Sequence, residues 1–115
     1  LEIAKKIIES QATAAAENPF AFGYLLNVLY LYYQKPTEIT IINDKNFELV
    51  SSLRKKFLPE SIMVLVANKN NLDTLSKYAF FSGKEFQDDK TNVFVCKNFS
   101  CSLPLSDLSE IEKEL

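Results

Sequence analysis

The sequence predicts an α/β protein: an N-terminal antiparallel helical hairpin followed by a small three-stranded parallel sheet with flanking helices and a C-terminal helix. Three observations carry this reading. The first third is apolar at helical spacing and stops at Lys35-Pro36. Beyond Glu38, continuous β-branched runs alternate with amphipathic ones, the βαβαβ pattern of a sheet built with right-handed crossovers. The chain of 115 residues is 47% hydrophobic, which suffices for a packed core.

The elements follow in order. Glu2 to Ala16 reads as a helix, with Ile3, Ile7 and Ile8 on one face continuing into Ala12, Ala15 and Ala16. Asn18-Pro19 is a restart signal, with Asn18 as cap and Pro19 at the first helical position. The second helix then runs to about Tyr33 and is apolar nearly all round, so it should be buried on several sides. "EITIIN" (38–43) is a strand covered on both faces. "DKNFELVSSLRKKF" is a helix capped by Asp44 or Asn46, with Phe47, Val50, Leu53 and Phe57 inward. "SIMVLVA" is a second buried strand. After the turn "NKNN", "LDTLSKYAFF" is a short helix with Leu72, Leu75, Tyr78 and Ala79 inward. Gly83 to Thr91 is a polar loop, and "NVFVC" is the third strand. "SDLSEIEKEL" is the last helix, with Asp107 and Glu110 at capping-box spacing and Ser106 as the competing cap. The expected strand order is 2-1-3, because the first strand is the most completely apolar. The expected organisation is 1–34 as hairpin and 37–115 as α/β module. A chain that starts at Leu1 with a helix already under way reads as part of a longer one.

Composition excludes several function classes. Net charge is −2, from 13 basic and 15 acidic residues, without the basic stripe of a nucleic-acid surface. Arg54-Lys55-Lys56 reads as the solvated face of a helix. There is no histidine, so neither a Ser-His nor a Cys-His nucleophile can be assembled from these residues. The most apolar run, Phe20 to Tyr33, is too short for a membrane span. No leader is read, and the expected location is cytoplasmic.

Candidate sites are few. The turn after the first strand, Asn43-Asp44-Lys45-Asn46, lies at the usual ligand crevice of open α/β sheets. It lacks the glycines of a phosphate cradle, since Gly23 and Gly83 lie elsewhere. A weak small-ligand reading places a crevice near Asn43 and Asn68. Asp44, Glu48, Glu85, Asp88 and Asp89 read as solvated carboxylates rather than one site. Tyr24, Tyr30, Tyr32 and Tyr33 spread around a helix and read as packing residues. Cys96 and Cys101 have C-x4-C spacing, neither the C-x-x-C of thiol oxidoreductases nor a complete metal site. The first expectation is two packed free thiols, Cys96 being buried in its strand. The alternatives are a disulfide and a metal shared with another chain. No cofactor is expected.

"VFVCKNFSCSLPLSD" resembles the closing segment of the thioredoxin-domain-containing protein family that includes the spermatogenesis-associated protein 20 group. The tail motif falls on Val95, Cys96, Asn98, Cys101, Pro104 and Asp107. Asn18-Pro19, "EITIIN", "LRKKFLP" and "SIMVLVA" resemble upstream parts of the same family, so the likeness spans essentially the whole chain. The turn after the first strand departs from it, lacking the acidic, glycine-containing sequence of many relatives. The resemblance implies a parent with a thioredoxin-like domain, then an α/α toroid similar to that of sugar epimerases and glycosidases, then this tail. It implies that redox and sugar-type catalytic groups lie outside these residues. It also implies that the greasy hairpin closes the toroid. The expectation is a non-catalytic structural module whose partners are the rest of the parent chain or a second copy. The alternatives are a redox-accessory module using Cys96 and Cys101, or part of a sugar-processing enzyme.

Overall fold

A computed structural model describes residues 2–98 and 100–115. The chain divides into two compact units, Leu1–Lys35 and Pro36–Leu115.

The first unit holds α1 (Glu2–Glu17) and α2 (Gly23–Gln34). α1 buries Ile8 and Ala15, whereas α2 buries no residue. The expected helix start at Pro19 is corrected by four residues' worth of turn. The Asn18 amide still donates to Ala14 O, so Asn18-Pro19 closes α1. The Ala21 and Phe22 amides then bond Asn18 O and Pro19 O in turn fashion, and Phe22 stands at the cap of α2 without a side-chain bond.

The second unit contains β1 (Thr37–Ile42), α3 (Glu48–Arg54), β2 (Ser61–Val66), α4 (Lys69–Leu75), a 3-10 turn (Ala79–Phe81), β3 (Asn92–Lys97), β4 (Ser100–Cys101) and α5 (Leu108–Glu114). The sheet order is β2-β1-β3-β4, with β1 in the middle. The class is α/β, but the all-parallel expectation is overturned. β1 pairs with β2 in parallel and with β3 antiparallel, Thr40 lying opposite Phe94.

The cause lies in the 82–91 segment. Asn43, just past β1, donates its Nδ2 to the carbonyls of Gln87 and Asp88 at 2.7 and 3.1 Å. Its own carbonyl accepts from Thr91 Oγ1 at 2.9 Å. The loop is thereby tied to the carboxyl end of β1, so β3 begins there and runs back. What reads as a plain connector is a second crossing of the sheet.

Period-2 alternation gives the sheet two apolar faces. Ile39, Ile41, Val93 and Val95 share a core with Leu53 and Ile111, so α3 and α5 cover this face. Ile42, Val66, Phe94 and Cys96 share the other with Leu72 and Phe81, under α4 and the 3-10 turn. Each such fully buried aliphatic side chain stabilises the fold by roughly 1.5–3 kcal/mol.

Several expected inward residues lie outside. Phe47 and Phe57 are 54% and 90% exposed, because α3 is shorter than its sequence window: Phe47 takes a left-handed φ of 55° before it, and Phe57 follows its end. Tyr78 and Ala79 are exposed, and Phe80 and Phe81 pack in their place because α4 ends at Leu75. β2, expected to be buried on both faces, is an edge strand with Ile62 half exposed. Among the described residues no helix is long and apolar enough to cross a membrane.

Candidate functional site

The two cysteines meet at the β3–β4 edge. Lys97 pairs with Ser100 and Cys96 with Cys101, the strands being antiparallel neighbours. Asn98 has φ 51°, the left-handed conformation that tight hairpin turns require and asparagine tolerates. In such a hairpin the pair nearest the turn exchanges hydrogen bonds, and the next pair does not. Facing side chains approach most closely at the non-bonded pair. Cys96 and Cys101 occupy that next position, with Cα atoms 3.9 Å apart and sulfurs 2.07 Å apart in a disulfide. The favoured expectation of two free thiols is thus corrected, and sulfurs bonded to each other leave no thiolate for a shared metal. The missed signal was local: asparagine placed for a two-residue turn, with a cysteine two residues out on either side.

The chain continues beside β3 after the disulfide. The Ser102 amide donates to Val95 O at 2.8 Å, and the Val95 amide donates to Ser102 Oγ at 3.1 Å. Leu105 then bridges Val93 through bonds of 2.7 and 2.8 Å. Three residues of the returning strand therefore span two of β3, a bulge that Leu103 and Pro104 occupy. Pro104 has no amide to leave unpaired there. Asp107 caps α5, its Oδ1 accepting from the Ser109 amide at 2.7 Å. Every residue of the tail motif (Val95, Cys96, Asn98, Cys101, Pro104 and Asp107) thus has a place in one turn-clip-bulge-cap sequence.

Lys84 completes the site from a distance no spacing rule reveals. Its ammonium donates to Phe80 O and lies 3.8 Å from Cys101 Sγ. It sits over the rings of Phe80 and Phe94, at 5.4 and 5.7 Å from their centroids. Burial pushes its pKa below the ordinary lysine value, and the charge of Glu38 works the other way. Cys96 is 2% exposed, whereas Cys101 is exposed and borders a concavity of about 300 Å³ with Lys84, Phe94 and Ser102.

A second concavity of about 510 Å³ opens at the carboxyl end of β1, bordered by Asn43, Asp44, Lys45, Glu48, Asp89 and Lys90. Asp44 is engaged there structurally: its Oδ2 accepts from the Val50 amide at 2.9 Å, serving the first turn of α3. Asn68, expected to share this crevice, instead caps α4, its Oδ1 accepting from the Asn71 amide at 2.9 Å. Among the described residues, no group of three or more carboxylates and cysteines is placed to hold a metal ion.

Fold and site together define an α/β domain whose sheet edge is closed by a disulfide-clipped hairpin. The chain is 24% identical over 101 residues to Spermatogenesis-associated protein 20 from Homo sapiens. The similarity covers 84% of this chain but 13% of that protein. No family model matches the chain, and no solved structure matches it.

Proposed function

We propose that this chain is a non-catalytic, C-terminal structural and interaction module of a longer thioredoxin-domain-containing protein. In this reading α1 and α2 are the last helices of an α/α toroid. The supporting observation is the exposure of large apolar side chains on the first unit: Phe20 at 99%, Tyr24 at 85%, Ile3 at 77% and Tyr33 at 74%. Exposed large apolar side chains on both helices and on the turn between them mark a surface that another body covers. The parent's remaining helices are the natural cover, and a second copy of the chain is the competing one. Size-exclusion chromatography with light scattering, and binding of a hydrophobic dye, test this on the isolated chain. Self-association or strong dye binding is expected. A monomer that binds no dye overturns the reading.

The hairpin disulfide favours a second reading, that Cys96 and Cys101 form an accessory dithiol for the parent's redox chemistry. We place the protein in the cytoplasm, where glutathione would hold such a pair largely as thiols. Thiol counting of the folded protein before and after dithiothreitol decides this. The expected change is from no free thiol to two, and a pair that never cycles while folded removes the reading.

A further inference from the structure

We propose that Lys84 makes Cys101, and not Cys96, the reactive sulfur of the reduced hairpin. The assignment rests on the accessory-dithiol reading and adds to it a direction of attack and the residue that sets it. The geometry distinguishes the two sulfurs sharply. The Lys84 ammonium stands 3.8 Å from Cys101 Sγ, whereas Cys96 is closed into the core with Ile42, Phe81 and Phe94. A cation beside a thiol favours its thiolate, and an apolar enclosure disfavours it. Lys84 is itself held in place, by Phe80 O and by the faces of Phe80 and Phe94, so its charge is aimed rather than free.

Other charges near Cys101 are mixed in sign. Glu38 on β1, opposite Cys96, favours the charged form of Lys84, against the larger opposing effect of burial. Glu85 borders the same concavity as Lys84 and Cys101. Lys97 and Glu114 border a second concavity beside Cys101, and Lys97 is engaged with the Leu115 carbonyl at 3.0 Å.

The order of steps on oxidation follows. With oxidised glutathione as probe, the Cys101 thiolate attacks one glutathione sulfur, forming the Cys101–glutathione bond and expelling one glutathione thiolate. Cys96 gives its proton to that thiolate and attacks Cys101 Sγ. The hairpin disulfide closes and the second glutathione leaves as a thiolate, which takes a proton from solvent. Two thiols are oxidised and one glutathione disulfide is reduced. Cys101 is the entry sulfur and Cys96 the resolving one.

The test uses the whole chain, reduced while folded and then pulsed with iodoacetamide across a pH series, with each cysteine quantified by mass spectrometry. Cys101 is expected to react at least about tenfold faster than Cys96 at neutral pH, as a thiolate shift of one pKa unit gives. Lys84→Gln should raise the pH midpoint of Cys101 alkylation and slow it several-fold at neutral pH. Lys84→Arg should keep the low midpoint, and Lys84→Met, which keeps the packed stem, should behave like Lys84→Gln. A midpoint indifferent to all three variants overturns the role of Lys84, even if thiol counting has shown a cycling pair. Faster alkylation of Cys96 overturns it as well. A pair that cannot be reduced without unfolding overturns both the inference and the reading beneath it. Cys96→Ala should trap the glutathione adduct on Cys101.

Discussion

Single residues decide the direction of β3 and the quality of the core. Asn43 is 5% exposed, holds φ 61°, and points its amide at the carbonyls of Gln87, Asp88 and Lys90. Asn43→Asp keeps the shape but replaces the donor with a carboxylate oxygen, an acceptor turned towards three carbonyl acceptors. It should cost roughly 2–4 kcal/mol at neutral pH, read as a lower urea midpoint. An unchanged midpoint would mean that the loop is not held by this amide. Thr40 poses the opposite problem: it is fully buried in the central strand, and its hydroxyl has no hydrogen-bond partner among the described residues. Thr40→Val keeps the β-branch and removes the orphan, and should stabilise by about 1 kcal/mol in the same titration. Asp107 adds a pH term. Hydrogen bonding from Ser109, with smaller help from the Glu110 amide and Lys113, holds its carboxyl below the ordinary 3.8. A depressed folded pKa contributes stability above the unfolded value, and that stability fades as pH falls through the folded one. Wild type should therefore exceed Asp107→Asn in stability at neutral pH, and the gap should close below about pH 3.8. The cap was legible from the Asp107–Glu110 spacing. The Asn43 clamp was not, because its partners lie more than forty residues away and are backbone carbonyls that carry no residue identity.

At the scale of elements, most of the architecture was readable wherever local pattern and tertiary demand agree. β1 reads as doubly covered, and its Ile39, Ile41 and Ile42 are fully buried. β2 reads the same way, yet it is an edge strand. Composition reports what a strand could bury and says nothing of whether a neighbour arrives. β4 was missed for a physical reason too: at two residues it is shorter than any periodicity window, and only the Asn98 turn and the Cys96–Cys101 pair announce it. The hairpin therefore has two independent fasteners. Closing its short loop covalently is worth about 2 kcal/mol by chain entropy, so reduction should lower stability by about that amount or less. Asn98→Ala, which strains the left-handed turn, should cost about 1 kcal/mol, and Asn98→Gly should be tolerated. Urea titrations with and without reductant separate the two. If reduction abolished folding altogether, the sheet would depend on the clip far more than its two packed faces imply.

For the whole molecule, the contrast between the units is the informative fact. Residues 36–115 carry an apolar core on each face of a four-stranded sheet, centred on Ile39 and Ile41 on one side and on Ile42 and Phe94 on the other. In the first unit α1 buries Ile8 and Ala15 and α2 buries none, while Ile3, Ile7, Phe20 and several tyrosines are exposed. Two isolated helices of such length are marginal in water, since helical stability comes mostly from the packing of an apolar face. Residues 36–115 expressed alone should therefore unfold in one cooperative step and stay monomeric. The full chain should self-associate through residues 1–35, and Phe20→Ser with Tyr24→Ser should reduce that association. Light scattering across a concentration series reads this directly. If the shorter piece aggregates and the full chain does not, the helices are a cover the sheet needs rather than a surface awaiting one, and the proposed docking role falls with that result.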